Sequence, residues 1–115
     1  MKRKRKTILG IIFSICFDNS NLDILHFEWD KGNANKNWDR HNVSQKEAEQ
    51  VFRNLPIIVE KYPKHSIIEK RYYCLGQTNS GRKLVVSFTQ RSNRLRVISA
   101  RDQSDREGAK YEKNI

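Results

Sequence analysis

The chain has 115 residues, 37% of them hydrophobic and 31% charged. That supplies the core of one compact domain and excludes a large enzyme built around a deep apolar pocket. The 23 Lys and Arg against 13 Asp and Glu give a net charge of +10, which points to a polyanionic partner, either nucleic acid or an acidic protein.

The first segment, "MKRKRKTILGIIFSICF", joins a basic start to an apolar run in the outline of a secretory signal. It lacks a small-x-small cleavage pattern. Three readings stand: a weak signal or interfacial anchor, an extra strand or helix packed on the domain, or a dispensable extension from a start codon assigned too far upstream. The third is favoured, because a coherent domain begins near Leu25. Residues 1–26 are therefore expected to be an extension and 27–115 the domain. Five basic and two acidic residues give the extension +3, which leaves +7 on the domain itself. No apolar run reaches the roughly 18 residues of a membrane span. Cys16 and Cys74 are far apart in the chain, as expected of reduced thiols in a cytoplasmic protein rather than of a disulfide framework.

Leu25, Phe27 and Trp29 alternate with His26, Glu28 and Asp30, the period of a half-buried strand. Asp30 can then cap a helix over residues 31–41. On it Ala34, Trp38 and His41 share one face, and Asn42 stands where a left-handed residue often ends a helix. "SQKE" at 44–47 is a capping box. The helix it opens carries Ala48, Val51, Phe52 and Leu55 on one stripe and stops before Pro56. "IIVE", "SIIEKRYYCLG", "KLVVSFTQ" and "RLRVISA" read as four strands, joined by turns at "GQTNSGR" and Ser92-Asn93. Ser104 and Glu107 form a second capping box and open a short terminal helix, which Gly108 weakens by about 1 kcal/mol. The expected class is α+β: two helices, an antiparallel sheet of about four strands, then a third helix.

Glu69 and Arg71, two residues apart, share one face of their strand. Arg91 and Arg94 flank a turn, Arg96 lies within the next strand and Arg101 follows its end. Adjacent antiparallel strands can bring several of these guanidiniums to one side. With Tyr72 or Tyr73 beside them to stack on a base, they suit a single-stranded RNA phosphate track. Equally, they can be solvated faces and ion pairs. His41 is open in the same way. It can be a packing residue at a helix C-terminus, helped by the dipole, or a proton-transfer group whose pKa is lowered by Lys36, Arg40 and the sheet arginines. Three histidines, His26, His41 and His65, have no metal-ligand spacing, and there is no P-loop or GxSxG. Neither a metal nor a cofactor is expected.

"FEWDKGNANKNWDRHNVSQKEAEQVF" and "EKRYYCLGQTNSGRKLVVSFTQRSNRLRVISARDQSDRE" together carry a recognisable order of motifs. They are a strand ending in F-E-W-D, a helix ending in N-x-x-[KR]-H-x-V-S, an E-A…V-F helix, then E-x-R, G-R-x-L-V-V, T-x-R and R-[VI]-I-S-A-R with a final Glu. Over residues 27–112 this resembles the BrnT family of type II toxin–antitoxin toxins. The resemblance implies a fold related to the RelE/ParE toxins and a metal-independent endoribonuclease that halts translation. It also implies a small DNA-binding antitoxin of the BrnA kind, with DNA reached only through that partner. His41, Glu69, Arg71, Arg91 and Arg101 stand on matching motif positions, as do Trp29, Asp30, Asn37 and Ser99. The chain departs from the pattern at Asn33, where the family usually has Lys, and at Gly108, where Arg often follows the final Glu.

The mechanism expected from this is attack of a ribose 2′-OH on the adjacent phosphorus. Arg71 and Arg101 would hold the phosphate, while His41 and Glu69 would share the proton transfers. Lys36, Arg40, Arg91, Arg96 and Tyr72 would bind the RNA. The alternative is a basic module that binds nucleic acid or an antitoxin without cutting.

Overall fold

The computed structural model describes residues 26–61, 71–91 and 94–114. The readings made for residues 1–25, for Glu69 and the start of its strand, and for the turn at 92–93 fall outside them. The elements in chain order are β1 (Phe27–Glu28), α1 (Lys36–His41), α2 (Gln45–Val51), β2 (Ile58–Lys61), β3 (Arg71–Gln77), β4 (Lys83–Arg91), β5 (Arg94–Asp102) and α3 (Asp105–Lys113). The fold is α+β as expected, but the sheet has five strands in the order β1-β5-β4-β3-β2. β2 to β5 form an antiparallel meander, and β1 returns to lie parallel to β5.

Both capping boxes form. Ser44 accepts from the Glu47 amide at 3.0 Å and Ser104 from the Glu107 amide at 3.2 Å, and each glutamate answers the cap backbone. Each cap is worth about 1 kcal/mol to its helix. α2 lays Ala48, Val51 and Phe52 on one face of the sheet, against Cys74, Val86, Phe88, Val97 and Ala100. Phe52 and Phe88 meet edge to face at 5.0 Å. The helix comes so close to β3 that a Cβ on Gly76 would lie 2.7 Å from Val51 Cγ1. Cys74 is a buried free thiol, and burial pushes its pKa far up. Leu55, expected on the buried stripe, is 54% exposed, because α2 ends at Val51 and the chain leaves the helical path before it.

The other face is covered only in part. α3 packs Tyr111 on Leu75 and Val85, and the Tyr111 hydroxyl donates to the Pro56 carbonyl at 2.6 Å. The helix is tied down by Arg101–Glu107 at 2.8 Å, Lys110–Glu60 at 2.8 Å and Lys83–Glu112 at 2.9 Å. Among the described residues no other helix packs on that face.

The first helix departs from expectation. It starts at Lys36 rather than 31, after a run of turns in which Asp30 Oδ1 accepts from Gly32 N. Its inward residue is Asn37, not Trp38 and His41, which are exposed. The reason is what it packs against. β1 pairs with β5 only through Leu95 and Arg96, so beyond that point the outer edge of β5 needs donors and acceptors rather than apolar atoms. Asn33 Nδ2 donates to the carbonyls of Val97 (2.9 Å) and Glu28 (3.0 Å), and Asn37 Oδ1 accepts from Ala100 N at 3.0 Å. Two side-chain amides thus complete an edge that no strand covers among the described residues.

Candidate active site

Alternation puts every second residue of a strand on one face, so Arg96 and Arg101, five apart, should point to opposite sides. They do not, because β5 carries a bulge. Ser87 pairs with Ser99, yet Phe88 pairs with Val97, which leaves Ile98 as the extra residue. The parity flips there, and Arg96, Ser99 and Arg101 all share the face away from α2.

Cross-strand register then builds a row. Glu28 of β1 stands beside Arg96 of β5, Arg96 beside Thr89 of β4, and Thr89 beside Arg71 of β3. Arg91 follows Thr89 by two residues and joins the same side. Lys36, at the start of α1, reaches over from the β5 edge. Lys36, Arg71, Thr89, Arg91 and Arg96, with Gly32 and Asn33, line a cavity of about 160 Å³, the liquid volume of about five waters. It is of a size for a phosphate and its ester oxygens, and four of its lining side chains are cations.

These cations differ in their attachments. Arg96 is held by Asp30 in a two-point pair, 2.8 and 3.1 Å, with Glu28 at 3.6 Å. First the Arg96 hydrogen bond, then the Gly32 N–H, keep the Asp30 carboxyl below its ordinary value. Arg91 lies 3.7 Å from Glu28. Arg71 and Lys36 make no ion pair with a described residue. Gly32 keeps the rim small: a Cβ there would sit 3.0 Å from Arg96 Nη2.

The remaining sequence candidates lie elsewhere. His41 ends α1, where its carbonyl accepts from Arg82 at 3.2 Å, and it helps to lower the Asp102 pKa, after the dominant hydrogen bond from Arg82. Asp102 pairs across the strands with Leu84, a residue of the α2-side core, and so turns to the face opposite the cavity. His41 follows the cavity-lining Lys36 by five helical residues, about 7.5 Å along the axis, and does not itself line the cavity. Arg101 shares the cavity's face but not the cavity. It binds Glu107 through both Nη atoms, at 2.8 and 2.9 Å, and pulls that carboxyl to about 2. Tyr72 corrects the expected aromatic contact. It stacks on Phe88 at 5.6 Å on the α2 side, because strand parity turns it away from Arg71. Tyr73 is the tyrosine on the arginine face, and its hydroxyl donates to Glu60. Arg40, one turn after Lys36, is exposed on the same side of α1. Trp29 donates from Nε1 to Glu49 at 2.8 Å and anchors the entry strand to α2. Asn37 serves the β5 edge, and its Nδ2 is buried without a partner among the described residues. Glu69 falls outside the described residues.

Glu28 and Thr89 were not singled out from the sequence. Glu28 was visible as a polar alternate of the first strand, but nothing local says that this strand pairs with β5.

Residues 29–107 match the family model described as the ribonuclease toxin, BrnT, of type II toxin–antitoxin systems. The chain belongs to that family. No curated protein matches it. The BrnT match spans every residue that lines the cavity, and membership implies an antitoxin partner. Among the described residues no helix is long and apolar enough to cross a membrane, and no group of three His, Cys, Asp or Glu side chains is placed to hold a metal ion.

Proposed function

We propose that this BrnT-family chain cuts RNA in the cationic cavity, without a metal, by attack of a ribose 2′-OH on the adjacent phosphorus. The P–O5′ bond breaks, and the products are a 2′,3′-cyclic phosphate and a 5′-OH. Arg71, Arg91 and Lys36 grip the phosphate and stabilise the charge that grows on it, the electrostatic contribution that usually dominates such catalysis. Arg96, already clamped by Asp30, sets the back wall. Arg40 extends the grip along α1 to a neighbouring phosphate. Glu69, two residues before Arg71 in sequence, takes the 2′-OH proton, and the departing O5′ takes its proton from water. Cleavage halts translation in the cytoplasm, and a small DNA-binding antitoxin of the BrnA kind neutralises the enzyme and carries any contact with DNA.

One observation carries this reading: four cations converge on a phosphate-sized hollow, and two of them, Arg71 and Lys36, have no carboxylate partner among the described residues. We assign Arg101, bound to Glu107 through both Nη atoms, to the anchoring of α3, and the His41 end, whose carbonyl accepts from Arg82, to folding.

The test is cleavage of a short single-stranded RNA in EDTA, with analysis of the product ends. Arg71→Ala is expected to lower turnover by about 10²- to 10³-fold, and His41→Ala to leave it within about threefold of the parent. Tight binding with intact RNA would instead mark a non-catalytic module, and a dead His41→Ala of normal stability would return that residue to the chemistry.

A further inference from the structure

The middle of the cavity floor is held by a neutral side chain. Thr89 lies on β4 directly across from Arg71 of β3 and from Arg96 of β5, and the Cβ atoms of such pairs are about 5 Å apart. Arg91 follows on the same face, about 6.6 Å further along β4. Three guanidiniums thus surround one threonine, and with Lys36 they line the same cavity. Thr89 is only 2% exposed although it lines that cavity, so it lies at the bottom while the longer cations rise around it.

The strand fixes it there. β4 is paired to a strand on each side. Phe88, the residue before, is fully buried on the other face and in ring contact with both Phe52 and Tyr72. A short hydroxyl on such a strand is preorganised in a way that a long lysine is not.

Its chemistry differs from that of its neighbours. Arginine and lysine only donate hydrogen bonds, whereas a hydroxyl donates and accepts and turns about a single bond. Thr89 can therefore swing its hydrogen from a partner within the protein to an oxygen of the substrate. Among the described lining residues it carries the only hydroxyl, and the one lining amide, Asn33, is committed to Glu28 O, Val97 O and Asp30 N. A phosphate gripped by the guanidiniums above presents its inward non-bridging oxygen to Thr89. When the 2′-oxygen adds to phosphorus, negative charge grows on that oxygen, and a fixed donor there gains strength as the transition state forms. The hydroxyl is neutral, so its contribution does not depend on which carboxylates share the site.

We propose that Thr89 is a further catalytic residue of the cleavage reaction, its hydroxyl donating a hydrogen bond to the inward non-bridging oxygen of the scissile phosphate. This rests on the cavity being the site of cleavage.

The test uses the full chain and a short single-stranded RNA in EDTA. Thr89→Val keeps the branched shape and suits a strand but lacks the hydroxyl; Thr89→Ser keeps the hydroxyl. Thr89→Val is expected to lower kcat about ten- to hundredfold. KM, and the Kd for the same sequence in uncleavable 2′-deoxy form, should stay within about threefold of the parent, as for an interaction made in the transition state. Thr89→Ser should keep kcat within about threefold, since the donor remains. A second measurement replaces one non-bridging oxygen of the scissile phosphate by sulfur, a poor hydrogen-bond acceptor. The parent should slow on one of the two phosphorothioate isomers, and Thr89→Val should lose that discrimination. A threonine that merely supports the floor would lower stability and turnover together and leave the sulfur effect intact, which overturns the proposal. So does a parental kcat in Thr89→Val. Should that variant not fold, Thr89→Ala, which also lacks the hydroxyl, is read by the same two measurements. A parent chain that leaves RNA intact removes the cleavage reading and the role of Thr89 with it, whereas an active parent with an equally fast Thr89→Val removes only the role of Thr89.

Discussion

At the scale of single residues, Asn33 shows how a substitution on a functional motif can be structural. Its side chain donates to Glu28 O and Val97 O, and its Oδ1 accepts from Asp30 N at 2.8 Å, all with the residue 2% exposed. Truncating it strands two carbonyls and an amide, and an unsatisfied buried polar group costs about 1–3 kcal/mol. Asn33→Ala should therefore lower the free energy of urea unfolding by about that amount, a loss read from the transition midpoint. It should also loosen the end of β1 and the residues after it, which bring Glu28 and Asp30 to Arg96. An Asn33→Ala chain as stable as the parent would show that water satisfies these groups equally well. The motif position thus still serves the site, although a short amide cannot supply a charge to the phosphate.

At the scale of elements, α3 is held to the sheet largely by ion pairs, and the pair between Arg101 and Glu107 makes that attachment pH-sensitive. Arg101, then the Ser104 backbone N–H, hold the Glu107 carboxyl at about 2 against an ordinary 4.5. A carboxyl whose pKa is depressed by folding binds fewer protons in the folded state. Its contribution is complete above about pH 4.5 and is lost as the pH falls towards 2. The pair is partly open to solvent, so salt should shrink the effect. Thermal unfolding between pH 5 and 2.5 should fall less steeply for Glu107→Gln than for the parent, because Gln keeps the capping box but not the titration. Parallel curves would disprove the assignment. The same element shows what can be read locally. Both capping boxes and the helices they open were legible because cap and helix are neighbours in sequence. The course of α1 was not, since its inward face is chosen by the open edge of β5, more than 60 residues away. The bulge at Ile98 was invisible for a similar reason: it exists only relative to β4.

At the scale of the whole molecule, the basic charge resolves into a surface rather than an average. Arg71, Arg91, Arg96 and Lys36 were all named from the sequence, and the fold brings them to one hollow. Of the three residues expected to complete them, Glu69 lies outside the described residues, Arg101 is bound to Glu107, and His41 ends α1 with its carbonyl on Arg82. Residue type was legible; strand pairing, which decides who meets whom, was not. Three or four phosphate contacts on this face imply that log K for a single-stranded RNA falls against log salt with a slope of about −2 to −3, and that Arg71→Ala makes it shallower by about 0.7. A slope unchanged in that variant would place the RNA elsewhere. Finally, the amide-sealed margin of β5 limits how the toxin can be disarmed. A peptide that subdues another protein often does so by lying down as one more strand, paired backbone to backbone. Between Val97 and Ala100 those pairing groups are already spent on Asn33 and Asn37, so an inhibitor arriving there must recognise side chains, and the charges around the cavity are what it will find.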